Sequence, residues 1–233
     1  MKIRPGSFLP VLLMMCLVCF GAASRRAEAA VRIELPSPEH TGRVSVEEAI
    51  YRRRSVRGYS DAPLSLEQIS QLLWAAGGMT VDGVSGPTRA YPSAGGRYPL
   101  DIYLVAGNVT SLDAGIYSYG WTDHSLTLLK EGDLRAELAR ASYGQRMIAD
   151  APVTIVVTTS HERAAGRYGK RGAERYIYLD AGHLGENVHL QAESMGLGTV
   201  MVGAYSDSAV AGILGIKDEF PVYVMPVGRP KQR

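Results

Sequence analysis

Only two cysteines, Cys16 and Cys19, occur in the 233 residues. Both fall in an N-terminal stretch with the pattern of a secretory signal, so the chain after Ala29 has none. That excludes disulfides, cysteine nucleophiles, thiolate zinc sites and cysteine-ligated iron–sulfur clusters from the mature chain. A redox activity would need an organic cofactor or a metal held without thiolates. The sequence also lacks a G-x-S-x-G elbow, a P-loop and a dinucleotide-type glycine fingerprint. It has no internal repeat, low-complexity tract or linker. A large charge excess is missing as well. Cleavage after Ala29 removes Lys2, Arg4, Arg25, Arg26 and Glu28, leaving 21 basic against 22 acidic residues, or net −1. So balanced a chain argues against broad nucleic-acid binding.

The N-terminus is read as follows. Lys2 and Arg4 precede an apolar stretch from Phe8 to Ala23, and Ala27-Glu28-Ala29 supplies an A-x-A cleavage site. Residues 1–29 are therefore expected to be a signal peptide, giving a periplasmic or extracellular protein. The alternative is an uncleaved membrane anchor through residues 8–23, although that run is shorter than a comfortable bilayer span. Residues 30–44 read as an extended lead-in, and residues 45–230 as one α+β domain.

Within that domain, Ser45 with Glu48 and Ser65 with Gln68 mark two helix starts. Leu66, Ile69, Leu72, Leu73 and Ala76 follow helical spacing up to Gly77-Gly78. Residues 79–99 read as a long loop. Strands are expected at 100–106, 115–119, 125–130, 153–159, 199–203 and 222–227. Helices are expected at 133–142, 173–195 and 206–214. Helices packed on a mostly antiparallel sheet is the economical architecture.

Four stretches could carry chemistry. Arg52-Arg53-Arg54-Ser55-Val56-Arg57 puts four guanidiniums and a hydroxyl within six residues at a helix end. That set matches a phosphate, though it equally suits a solvated basic helix terminus. Pro92 to Pro99, containing Ser93, Ala94 and Gly95, could let a ligand approach the main chain, or be a plain turn. Gly203 follows a helix stop and a short strand. Gly228-Arg229 ends the last strand as a possible anion contact or a frayed tail. The histidines suggest no metal site, because His183 and His189 are six apart and share no helix face. Asp180 and His183 do share one.

The order of these stretches resembles the FMN-dependent nitroreductase family over about residues 45–230. The Pro-Ser-Ala-Gly-Gly loop and Asp180-Ala181-Gly182-His183-Leu184-Gly185-Glu186-Asn187 are similar to its SagB-type branch of azoline dehydrogenases. The resemblance implies a nitroreductase-like α+β fold, with a mostly antiparallel central sheet flanked by helices. It also implies an interlocked homodimer with two FMN sites at the subunit interface.

The implied roles are these. Arg53 and Ser55 contact the FMN phosphate and ribityl chain, with Arg54 grouped beside them, and Arg57 stands near the pyrimidine edge. Ser93, Ala94 and Gly95 line the cofactor from the other subunit. Gly203 sits near flavin N5, and Gly228 with Arg229 gives a second phosphate contact. The implied activity is ping-pong electron transfer from a small-molecule donor to a small organic acceptor. Peptide azoline oxidation and a non-catalytic flavin module are the alternatives. The Lys-Tyr pair associated with azoline oxidation has only Tyr168 and Lys170 as nearby counterparts. No metal and no nucleic acid are expected as partners.

Overall fold

Once folded, the extended lead-in becomes an edge strand. The structure, a computed structural model, describes residues 31–83 and 86–231. The expected signal segment lies outside them. Strand β1 (Arg32–Glu34) pairs antiparallel with residues 125–127. Helix α1 (Val46–Arg52) starts where Ser45 accepts a hydrogen bond from the Glu48 N–H at 3.1 Å, and it stops at Arg53. Helix α2 (Leu66–Gly77) has the full reciprocal box between Ser65 and Gln68, worth about 1 kcal/mol over an uncapped start.

The long loop expected at 79–99 is corrected by the structure. Residues 79–89 form a hairpin of β2 (Met79–Gly83) and β3 (Gly86–Arg89), and a 3₁₀ turn follows at Ala94–Gly96. Turn-type residues hid the hairpin, since its strands carry little apolar alternation.

The remaining elements are β4 (Leu100–Ala106), β5 (Gly115–Gly120), β6 (Ser125–Glu131), α3 (Arg135–Ala141), α4 (Arg146–Asp150) and β7 (Val153–Thr159). Then come short helical pieces α5 (His161–Ala165) and α6 (Gly169–Arg171), and a π-turn at Gly172–Tyr176. They lead into α7 (Ile177–Ser194), β8 (Gly198–Thr199), α8 (Asp207–Leu214) and β9 (Phe220–Gly228). The long helix thus begins at Ile177 in α-form rather than at 173. The strand expected at 199–203 shrinks to β8 plus a single bridge between Val202 and Val224.

Seven strands make one sheet in the order β1-β6-β5-β4-β7-β9-β8, with every ladder antiparallel. Alternation along β4 explains why helices cover both faces. Leu100, Ile102 and Leu104 pack with Ile69, Leu72, Leu73 of α2 and Ala181, Leu184, Val188 of α7. Tyr103 and Val105 pack with Leu138, Ile148, Val210 and Leu214 on the opposite face. All seven residues of β7 are buried, as its β-branched run predicts for a central strand.

One buried and one partly buried charge position loops around the site. The Arg89 guanidinium is 5% exposed. Its Nε donates to Gly77 O at 2.6 Å and its Nη1 to Leu100 O at 2.9 Å. It also lies over the rings of Tyr91 and Trp121. It joins the end of α2 to the start of β4.

At the far end of β7, Glu219 accepts hydrogen bonds from the Thr158 hydroxyl and from Tyr103 Oη at 3.2 Å. Arg163 of α5 pairs with Asp101 and lies 3.4 Å from Glu219, tying that helix to the sheet. Burial raises the Glu219 carboxyl above its ordinary 4.5. The Asp101 charge adds to this, while Thr158 and Arg163 oppose it.

A group raised in the folded state contributes stability below its ordinary value and loses it as pH rises through the folded value. Glu219→Gln should therefore gain stability relative to wild type as pH rises from 4.5. Urea midpoints across that range check this. A variant that loses stability relative to wild type as pH rises would contradict it.

Candidate functional site

Two groups of residues flank α7, and different side chains of that helix hold each one. The first group is the arginine run. Arg53 caps α1, and its Nε lies 3.6 Å from Glu186 Oε1, a half-exposed and therefore weak pair. Arg52 is taken by Glu48 one turn back at 2.6 Å. Beyond Arg53 the chain runs beside β8. Ser55 bridges Thr199, and the Val56 N–H donates to Thr199 O at 2.9 Å. Gly198 permits this approach, because a Cβ there would collide with the Val56 side chain.

The same segment then meets the C-terminal strand end. The buried Tyr59 hydroxyl donates toward Val56 O at 2.6 Å and Pro226 O at 3.0 Å. The Ser60 N–H donates to Arg229 O at 2.9 Å, and Tyr59 bridges Pro230. The fold therefore brings Arg53, Arg54, Ser55 and Arg57 alongside β8 and Arg229, residues about 170 positions apart in sequence. Among the described residues, Arg54, Arg57 and Arg229 have no ion pair or side-chain hydrogen bond, nor has the Ser55 hydroxyl.

Gly228 has a packing role. A Cβ on it would meet Pro152 at 2.7 Å and Tyr59 at 3.1 Å. Gly203 is exposed, and a Cβ there would meet nothing within 4 Å.

The second group is the Ser93 loop. Ser93 Oγ donates to Asp180 Oδ2 at 2.5 Å, the Ala94 N–H donates to Asp180 Oδ1 at 3.2 Å, and the Tyr98 N–H donates to Ser93 Oγ at 2.9 Å. His183, one turn on, lies 3.0 Å from Pro92 O through Nδ1. The face shared by Asp180 and His183 is thus the one that holds the loop. Asp180 is 2% exposed and has no cation partner among the described residues, so these donors carry its charge.

Gly95 has φ +62, and the Tyr168 hydroxyl lies where its Cβ would be. Tyr168 therefore rests on this loop. Lys170 points elsewhere and pairs with Glu174 at 3.4 Å.

Asn187, two turns along α7 from Asp180, donates to Ala75 O and Ala90 O. His189 is buried beneath the arginine side. Burial lowers it from its ordinary 6.5, with Glu186 opposing and Arg53 reinforcing the shift. His161 stacks on Phe220 at 4.4 Å rather than facing either group. No cluster of three or more metal-ligating side chains occurs among the described residues. Sequence reasoning missed the roles of Asp180, Asn187 and Arg89. The Asp-Ala-Gly-His-Leu-Gly-Glu-Asn segment carried the signal for the first two.

Residues 50–229 match the model of the nitroreductase family, and the chain belongs to that family. A Methanocaldococcus jannaschii protein whose name assigns it to the nitroreductases is 40% identical over 199 residues, covering 85% of this chain and 96% of that one. A solved structure from Ralstonia eutropha, likewise assigned to the nitroreductases, superposes with a TM-score of 0.75 at 30% identity. It covers 87% of this chain and 90% of its own. The trifolitoxin operon protein TfxC of Rhizobium leguminosarum bv. trifolii is 23% identical over 88% of this chain, which spans 60% of that protein's length. The chain is an oxidoreductase of this family.

Removing Asp180 strips a charged acceptor from two donors. Asp180→Ala should cost about 2–3 kcal/mol in urea unfolding, and Ser93→Ala about 1–2 kcal/mol. The double variant should lose clearly less than the sum, with a coupling of about 1 kcal/mol. Strict additivity would show that the contact contributes nothing.

Proposed function

We propose that the chain is an FMN-dependent oxidoreductase acting by a ping-pong exchange between a small-molecule donor and a small organic acceptor. The observation that carries this reading is the set of unpartnered donors on two adjacent backbones: Arg54, Ser55 and Arg57 on one, Arg229 on the other. Three guanidiniums and a hydroxyl without carboxylate partners fit a phosphate-bearing cofactor. FMN, when bound, supplies the two-electron chemistry that a chain without mature cysteines cannot.

In this reading Arg53 and Ser55 bind the phosphate end, with Arg54 and Arg229 beside them. Arg57 offers fixed positive charge toward the ring, which makes a flavin easier to reduce. The exposed backbone at Gly203 faces the ring. Export through residues 1–29 belongs to the same proposal, with a donor drawn from outside the cytoplasm.

A second copy of the chain completes the site. Within one protomer, no hydrogen bond or ion pair among the described residues joins the Ser93 loop to the arginine run. The outer faces of the two helices beside that run are apolar and uncovered. Val46, Ile50 and Tyr51 on α1 are 64%, 55% and 89% exposed, and Tyr178 and Leu179 on α7 are 55% and 53% exposed. Such a patch marks an interaction surface, and a self-complementary dimer places each Ser93 loop toward the partner's arginine run. The likeness to TfxC favours a second reading, oxidation of peptide azolines, with Tyr168 on the Gly95 loop as its nearest acid–base candidate.

Purified protein should show flavin absorbance and release FMN on denaturation. Colourless protein without affinity for added FMN would sink the reading. Arg53→Ala should weaken FMN binding roughly tenfold or more. Arg57→Ala should mainly lower the flavin potential, by about 30 mV for about 1.4 kcal/mol in a two-electron couple. Equal effects of both variants on both quantities would contradict the division of roles.

Ile50→Asp with Leu179→Asp should yield monomer by sedimentation and lose FMN in the same step. A monomer that retains full FMN affinity would remove the partner from the site.

A further inference from the structure

The segment from His161 to Tyr176 differs in charge from the rest of the chain. It holds Arg163, Arg167, Lys170, Arg171 and Arg175 against Glu162 and Glu174, net +3, whereas the whole chain after Ala29 sums to −1. It is broken into α5, a 3₁₀ turn, α6 and the π-turn, so its side chains radiate instead of sharing one helix face.

Its cations differ in what they already hold. Arg163 is committed to Asp101 and Glu219. Lys170 pairs with Glu174. Arg171 donates to the Tyr176 hydroxyl at 3.0 Å and lies over that ring. Arg167 and Arg175 have no ion pair or hydrogen bond among the described residues, nor has the nearby Arg97.

Two of these residues, Arg97 and Arg167, lie on one recess. A recess beside the Gly95 loop is lined by Arg97, Arg163, Arg167, Tyr168, Tyr176 and Asp180, among others. Tyr168 and Tyr176 meet edge to face at 5.0 Å. Asp180 is the recess's one carboxylate, and the Ser93 hydroxyl and Ala94 N–H already occupy its oxygens. The recess thus combines exposed unpaired cations, aromatic faces and direct contact, through Tyr168, with the loop assigned to the cofactor.

We propose that Arg97 and Arg167, with the Tyr168–Tyr176 pair, form an anion-selective mouth that binds a carboxylate, sulfonate or phosphate carried by the co-substrate. The inference rests on the flavin reading for the identity of the co-substrate, but not for the anion binding itself. Two free guanidiniums supply forked donors for a tetrahedral or planar anion, and the rings pack against an aromatic body attached to it. The rest of the chain after Ala29 sums to −4, which makes this a local selector rather than a general polyanion surface.

The test compares 1,4-naphthoquinone with 1,4-naphthoquinone-2-sulfonate on the flavin-loaded full-length mature protein. Calorimetry without an electron donor gives the binding constant of each, and steady-state rates give each KM. The Arg97→Gln/Arg167→Gln double variant should weaken sulfonate binding about tenfold and raise its KM in parallel. The neutral quinone should shift less than twofold. The sulfonate affinity of wild type should fall between 20 and 200 mM salt, as expected for exposed charges. Arg146→Gln on α4 removes an exposed charge elsewhere and should change neither quinone.

Equal shifts for both quinones, or an unchanged sulfonate constant, would overturn the proposal. Preference for an acidic peptide over the sulfonate, lost in the same variant, would also overturn it in favour of a polypeptide ligand. If the protein binds no FMN, the flavin reading fails while sulfonate calorimetry still decides this one.

Discussion

The polar row of Asp180, His183 and Asn187 on α7 is the constraint on which the other loops depend. A helix whose Ala181, Leu184 and Val188 are fully buried cannot carry Asp180 and Asn187 among them unless each finds partners. The partners are main-chain and hydroxyl groups of segments that would otherwise be loose. Asp180 takes Ser93 and Ala94, His183 meets Pro92, and Asn187 reaches Ala75 and Ala90. Glu186, pointing to another side, faces Arg53. The helix thus sets the position of the Ser93 loop and packs beside α1, from which the arginine run leaves. An error in its register would displace them together.

The two halves differ in how they are held. The Ser93 loop is fastened by a buried carboxylate. The arginine run is fastened through its backbone, by Val56, Tyr59 and Ser60, and among the described residues its Arg54 and Arg57 side chains hold no ion pair. Conformational cost is thereby met by the fold on the main chain, while the guanidiniums keep their donors available. Arg89 does similar service at the back of the site, with carbonyls and ring faces replacing a carboxylate around a buried cation.

Much of this was legible in the sequence, because local chemistry decides it. Ser65 with Gln68 fixed the start of α2, the β-branched run of β7 announced a strand buried on both faces, and spacing along α7 gave its apolar side. The arginine run and the Ser93 loop were recognisable as ligand-type patterns. What stayed hidden depends on tertiary partners. The strands at 79–89 read as loop because their pairing, not their composition, makes them extended. A buried Arg89 has no signature until Gly77 and Leu100 present their carbonyls. Asp180 could be seen to share a face with His183, but not to hold a loop 86 residues upstream. The broken helices between β7 and α7 have no dominant period, so nothing in the sequence marks α5 or α6 and the expected helix takes in residues 173–176.

The contact between residues 55–56 and β8 has one more consequence. β8 is a two-residue strand at the margin of a seven-stranded sheet, and its outer side would offer unpaired backbone groups to any passing extended chain. Edges of that kind seed intermolecular sheet growth. Here the chain covers its own margin with the Val56 amide and surrounds it with Arg52, Arg53, Arg54 and Arg57, whose like charges repel a second run of the same sequence. The same cluster that resembles a ligand grip thus guards that margin against intermolecular pairing, and replacing its arginines with neutral residues removes the guard.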